Sequence, residues 1–463
     1  MIGNANFLAW TALALCFPVS IMIVARWRAA ISVPLVLILG QLFLPERIAF
    51  QISPQLPNLE KSILPPLGAL VGCLIFRPKS LAHGKPFRGY DLFIVFRIVG
   101  YFFSCMNNQD PLIFPQGIVP GLSIYTFISG SLKMLCYWWP SLFLGRMVIR
   151  TSQDLRNLFR MLAAAAVVYS VFILLEMRLS PQMNLWVYGF QASDFVQAVR
   201  GGSYRPMVFM RHGLNLAFFL FIAIVAAFSV AKVKARVLRF KARPVGVYLS
   251  VLLVLSHSLG ALLYAALAVP LGWFAKTRTQ VKIATVLALL AFSYPLARAL
   301  GLVPVADINA FVLEKFGEDR AGSLGLRLNE EQYIMERTLP RWVFGWGGPP
   351  RPFRLDPVDG LPHSTIDGLW AVQFGQEGAV GFICLFGMLL YPVWRSRRAL
   401  SKLTTPDDRT MVASLTFMVT LFMVDLIPNS GVDPYLIFLT GALAGVGTRG
   451  LEPDPVPLAP AYA

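Results

Sequence analysis

Residues 247–275 read VYLSVLLVLSHSLGALLYAALAVPLGWFA, and how often this stretch crosses a membrane decides the fold. As one helix at about 1.5 Å per residue it would run about 43 Å, long for a hydrocarbon core of roughly 30 Å. A single crossing would also invert everything downstream and put the basic RSRRALSK (395–402) on the outer side. Lys and Arg instead gather in cytoplasmic loops. Two short helices hinged near Ser256, His257, Ser258 and Gly260 keep that rule, so the stretch reads as a broken pair. Non-helical backbone at membrane depth is tolerated inside protein or beside a wet cavity. The SHSLG break is therefore either a cavity wall or a tight outer turn.

The rest of the chain fits this setting. Of 463 residues, 56% are hydrophobic and 14% charged, against roughly 25% charged in soluble domains. Mean hydropathy is +0.62. Apolar stretches recur throughout, at about 7–25, 29–45, 62–76, 90–106, 118–145, 158–176, 212–231, 282–302, 375–394, 409–428 and 434–448. This excludes an ordinary cytosolic enzyme and a disordered chain. The expectation is an all-α, polytopic transmembrane helical bundle of about 12–13 spans. The first apolar segment follows an uncharged MIGNANF and reads as a retained helix, not a signal peptide. Five cysteines without a CxxC or Cys/His cluster read as buried small hydrophobes, not a zinc site.

Charge sets orientation. The chain carries 41 Lys+Arg against 24 Asp+Glu, a net +17. That balance invites a nucleic-acid partner, but position decides otherwise. The densest basic run, Lys232, Lys234, Arg236, Arg239, Lys241 and Arg243, alternates with loops free of Lys and Arg, MNNQDPLIFPQG (106–117) and NSGVDP (429–434). The basic loops are cytoplasmic, and no nucleic acid is implied. The domain reading is 1–302 transmembrane helices including the broken pair, 303–368 an external loop domain capping the bundle, 369–448 C-terminal spans, and 449–463 a disordered tail. Within the loop, 327–339 reads as a short helix.

Chemistry-bearing residues collect on the outer side. His212, His257 and His363 fall there, while His83 lies in a basic loop. Histidine suits proton transfer near neutral pH. Arg205 and Arg211 flank an apolar turn in GGSYRPMVFMRHGLN (201–215), and arginine binds phosphate through two parallel charge-assisted bonds. Snorkelling at the interface is the alternative role for both. Arg320 and Arg327 precede the Gly-rich turn GWGG in the segment 318–348. That turn lacks the setting of a nucleotide loop. Glu377 lies just inside a span, where a carboxylate must be functional or paired. Glu176, Asp425 and Arg97 read as interhelical pairs.

These segments resemble the O-antigen ligase and polymerase superfamily of bacterial envelope polysaccharide assembly. The resemblance rests on YRPMVFMRHGLN, SHSLGA, Arg320 followed by GWGG, and His363-Ser364 followed by QEGAVG, over about 200–385. Family members carry an Arg at the break, where this chain has Leu259 or His257. The resemblance implies a GT-C-like fold and a metal-independent glycosyltransferase without a cofactor. The donor would be a glycan on undecaprenyl pyrophosphate, and the acceptor a glycan or lipid A core. The implied catalytic set is His363, Arg320 and Glu377. The implied pyrophosphate and substrate set is Arg205, Arg211, His212, His257 and Arg327. Implied location is the bacterial inner membrane with the site facing the periplasm, with other polysaccharide assembly proteins as candidate partners. A repeat-unit polymerase is favoured over an O-antigen ligase. The rival from another class is a lipid-linked sugar flippase or transporter, which would show the same broken helices and buried charges.

Overall fold

The computed structural model describes residues 4–53, 55–82, 84–193, 199–200, 203–363 and 366–454; the side chains of Val199, Arg200, Ser203, Phe316, Asp319 and Arg320 lie outside the description. His83, Ser364, Thr365 and most of the expected tail also fall outside it. The chain is all-α, about 70% helical, and the sheet among the described residues is confined to short two-stranded hairpins.

The first half comprises α1 (Phe7–Arg26), α2 (Ala29–Phe43), α3 (Leu64–Phe76), the short α4 (Pro78–Leu81), α5 (Leu92–Met106), α6 (Ile124–Val148), α7 (Ser152–Leu179) and the short α8 (Met183–Tyr188). Then come α9 (Gly213–Lys232), α10 (Ala242–Leu255), α11 (Leu259–Phe274) and α12 (Thr277–Ala299). The loop region holds α13 (Val305–Phe316) and α14 (Glu318–Thr338). The chain closes with α15 (Leu369–Lys402), α16 (Pro406–Asp425) and α17 (Pro434–Arg449). Among the described residues six helices, including α1, α7, α9 and α15, are long and apolar enough to cross a membrane, and α2, α3, α10 and α11 are shorter apolar helices.

Local signals explain the boundaries. Thr151 and Asp154 form a capping box at the start of α7, and Ser123 with Thr126 does so for α6. Thr405 caps α16, with Pro406 in its first turn. Helix α6 starts later than the apolar run suggests, because residues 112–119 fold back as a hairpin pairing Ile113 with Ile118. Helix α14 starts nine residues before the expected 327: Gly317, at φ +85°, turns the chain, and Glu318 opens the helix where its dipole favours an acid.

Helix α9 forms the centre, buried along nearly its whole length and packed on α7, α10, α11 and α16. Helix α17 packs closely on α6. A Cβ at Gly145 would strike the Phe438 carbonyl, and one at Gly441 the Leu142 carbonyl. Gly441 and Gly445 form the small-xxx-small spacing that lets helices approach.

The stretch 247–275 breaks between Leu255 and Leu259, with His257 at φ +51°. The two helices have 14 and 16 residues. At about 1.5 Å per residue they reach roughly 21 and 24 Å, short of a core of about 30 Å. Helix α14 is fastened by Glu331, which accepts from Tyr294 of α12 (3.0 Å) and Trp370 of α15 (3.2 Å).

Candidate functional site: a cavity at the helix break

A cavity of about 650 Å³ opens beside the break. Its walls come from residues 205–218, the break itself at 257–260, α14 at 323–327, Asp367, and residues 425–436. All five residues expected to bind substrate line it: Arg205, Arg211, His212, His257 and Arg327. The first turns of α9, α11 and α17 also reach it through Leu214, Leu259 with Gly260, and Leu436. Helix N-termini carry positive potential, so this wall suits an anion.

The loop bearing Arg205 and Arg211 is held from beneath. Glu176 of α7 accepts the backbone N–H groups of Met183 (3.0 Å), Met207 (2.8 Å) and Val208 (2.7 Å). Expected as an interhelical pair, Glu176 is instead a clamp on backbone amides. Tyr169 Oη accepts from the Phe209 N–H (3.1 Å). Buried Lys61 donates to the carbonyls of Phe209 (2.8 Å) and Leu44 (3.0 Å). The Arg205 side chain is buried and lies across Gly213, where a Cβ would collide with its methylenes. His212 caps α9: its Nδ1 accepts from the Leu214 N–H at 3.1 Å. In a neutral ring the proton then sits on Nε2.

Three carboxylates balance these cations. Asp367 pairs with Arg327 (2.8 Å). Asp425 accepts from Asn429 (2.9 Å) and Tyr264. Asp433, just before α17, accepts from Gln41 Nε2 at 2.9 Å, with Asn215 Nδ2 3.5 Å from its other oxygen. Asp433 was not singled out from sequence, because an acid before a proline at a helix start reads as an ordinary cap. Among the described residues no group of three or more His, Cys, Asp or Glu is placed to hold a metal ion.

The expected catalytic set falls elsewhere. His363 is exposed and bonds Asp356 through Nε2 at 2.6 Å; it is not in the cavity lining. Asp356 is held below the usual carboxylate range by the Val358 N–H and by His363. Arg320 sits in the first turn of α14, and its side chain lies outside the description. Glu377 is buried in α15 and bonded twice to Arg97 of α5, away from the cavity.

Two expected motifs meet each other. Helix α15 opens at Gly378 (φ +64°, ψ −160°). The freed carbonyls of Gly375 and Gln376 accept from the N–H groups of Trp346 (2.9 Å) and Gly347 (2.7 Å). The freed N–H groups of Ala379 and Val380 donate to the carbonyls of Trp342 (2.7 Å) and Val343 (3.1 Å). GWGG and QEGAVG thus dock backbone to backbone. Gly345 belongs there because a Cβ would sit 2.6 Å from the Gly378 nitrogen. Arg337 and Arg341 both approach Trp346, 4.6 and 4.3 Å from its ring centre, and Arg351 donates to the carbonyls of Asp110 (2.9 Å) and Pro120 (3.1 Å). Arg337, Arg341 and Arg351 therefore fasten the loop, while Arg205, Arg211 and Arg327 line the cavity.

The chain matches no protein-family model, and no curated protein matches it.

Proposed function

We propose that this chain is a membrane glycosyltransferase of bacterial surface polysaccharide assembly. It moves a glycan from undecaprenyl pyrophosphate to a sugar hydroxyl, and we read it as a repeat-unit polymerase in the inner membrane with the cavity facing the periplasm. One observation carries this: Arg205, Arg211 and Arg327, more than a hundred residues apart in the chain at the extremes, meet in one cavity with the starts of three helices. Displacing a lipid pyrophosphate requires positive charge at the leaving group, and fixed cations and dipoles in a shielded site supply it. A volume of about 650 Å³ lies within the usual range for small-ligand sites. The short α10 and α11 lower the break below the expected bilayer surface, within reach of a pyrophosphate whose lipid stays in the membrane.

The test is chain extension of lipid-linked repeats by membranes containing the protein. Growth without lipid A core supports the polymerase. Transfer that needs lipid A core points to the O-antigen ligase. A flippase would translocate the lipid-linked sugar and leave its length unchanged.

A further inference from the structure

We propose that Asp433 is the base that takes the proton from the acceptor hydroxyl, with Asn215 orienting that hydroxyl. The inference rests on the transferase reading and names a group at the same cavity.

Three carboxylates line the cavity, and two are committed. Asp367 holds Arg327, and Asp425 holds Asn429 and Tyr264. Asp433 differs. It stands in no ion pair with Arg327 and lies in the loop before α17 instead of within α16, with Gln41 on one oxygen at 2.9 Å and the long 3.5 Å contact from Asn215 on the other. A carboxylate oxygen accepts about two hydrogen bonds, so the oxygen beside Asn215 can take a hydroxyl. The Asn215 amide, in the first turn of α9, also touches the position a Cβ of Gly431 would occupy, in the same loop as Asp433. His363, the base expected from sequence, is exposed, bonded to Asp356, and absent from the lining.

Asp433 is nearly fully buried, in the loop before α17 and outside the spanning helices. Burial pushes its carboxyl up to about 7, and Glu46 adds to this, while Lys61, Asn215 and Arg211 oppose it. Tyr137 and Tyr435 also face it. A base poised near neutrality works best near neutral pH.

The step balances without a metal or a co-reactant. The acceptor O–H bond breaks and its proton passes to an Asp433 oxygen. The freed electron pair forms the bond to the anomeric carbon. The bond from that carbon to the pyrophosphate oxygen breaks, and its electrons leave with the pyrophosphate, held by the arginines. The proton on Asp433 then passes to solvent or to the departing pyrophosphate.

The experiment uses the full chain in nanodiscs, with lipid-linked repeats extracted from producing cells for transfer and undecaprenyl pyrophosphate for binding. Wild-type kcat should rise with pH through about 7. Asp433→Asn, which keeps the shape and a favoured capping side chain, should bind undecaprenyl pyrophosphate with unchanged Kd. Its kcat should fall about 100-fold or more above pH 7 and lose the rise with pH, the two proteins converging toward acid pH. Asp433→Glu should recover part of the rate with a displaced pH profile. Wild-type transfer together with an active Asp433→Asn of unchanged pH profile would overturn the base assignment alone. Wild type that transfers no glycan to any acceptor would overturn the transferase reading and this inference with it.

Discussion

Arg97 and Glu377 meet in a two-pronged ion pair between α5 and α15, Nε to Oε2 at 2.8 Å and Nη2 to Oε1 at 2.7 Å, both side chains largely shielded from solvent. Arg97 Nη2 also donates to Gln373 (2.9 Å). The pair neutralises two charges within the helix bundle and fixes the register of α15 beside its opening at Gly378. Removing one partner of such a pair strands the other, at a cost of about 3–5 kcal/mol. Glu377→Leu should therefore lower the thermal unfolding temperature sharply, and Arg97→Leu combined with Glu377→Leu should restore most of the loss. A stable Glu377→Leu protein with no activity would instead make Glu377 a functional group.

Gly378→Ala tests the docking of GWGG onto α15. The residue sits at φ +64°, and a Cβ there would collide with the Val343 carbonyl. The strain alone costs about 1–3 kcal/mol. The variant should unfold at lower temperature and expose residues 342–347 to faster amide exchange, while amides in α9 stay protected. Unchanged exchange at 342–347 would contradict the role given to the two motifs.

Arg205 rests against Gly213, so Gly213→Ala should displace it without unfolding α9, where alanine is the better helix former. The expected result is donor binding weakened about tenfold, or about 1.4 kcal/mol, with near-normal thermal stability. Arg205→Lys should also bind poorly, because lysine lacks the planar fork. Titration of undecaprenyl pyrophosphate against both variants checks this, and wild-type affinity in both would remove Arg205 from the phosphate site.

Asp433 gives stability a pH dependence of known sign. Its folded carboxyl sits near 7 against 3.8 for the ordinary group. The folded state therefore binds the proton more tightly, and this contribution is present below about pH 4 and lost as pH rises through about 7. Asp433→Asn abolishes that loss. Relative to wild type, the variant should gain thermal stability between pH 5 and pH 8, and the difference should shrink toward pH 4. A difference independent of pH would show that Asp433 does not carry a raised pKa.

Much of the fold was legible because a bilayer demands about 20 apolar residues per crossing and sorts cations to one side. The break at Ser256-His257-Ser258 followed from that parity and from residues that leave a helix readily. The cavity was legible through its cations, since Arg205, Arg211 and Arg327 can all offer a planar, permanently charged fork to one anion. What escaped was long-range backbone contact. Nothing in GWGG announces that its amides fill an opened helix turn some thirty residues later, and both motifs read as chemistry when they hold each other. Glu176 escaped for the same reason, because its partners are main-chain N–H groups that no residue type marks. His363 stood out as a histidine near a span, whereas its neighbour in space, Asp356, ties it to the outer loop.

The central claim is that the cavity at the helix break holds a lipid pyrophosphate. A structure of the full protein with undecaprenyl pyrophosphate bound tests it most directly. The phosphates should lie between Arg205, Arg211 and Arg327 at the starts of α9 and α11, with the lipid leaving beside α10 and α11. Phosphates found at the bilayer midplane, or held by the loop around His363 with the cavity empty, would contradict it.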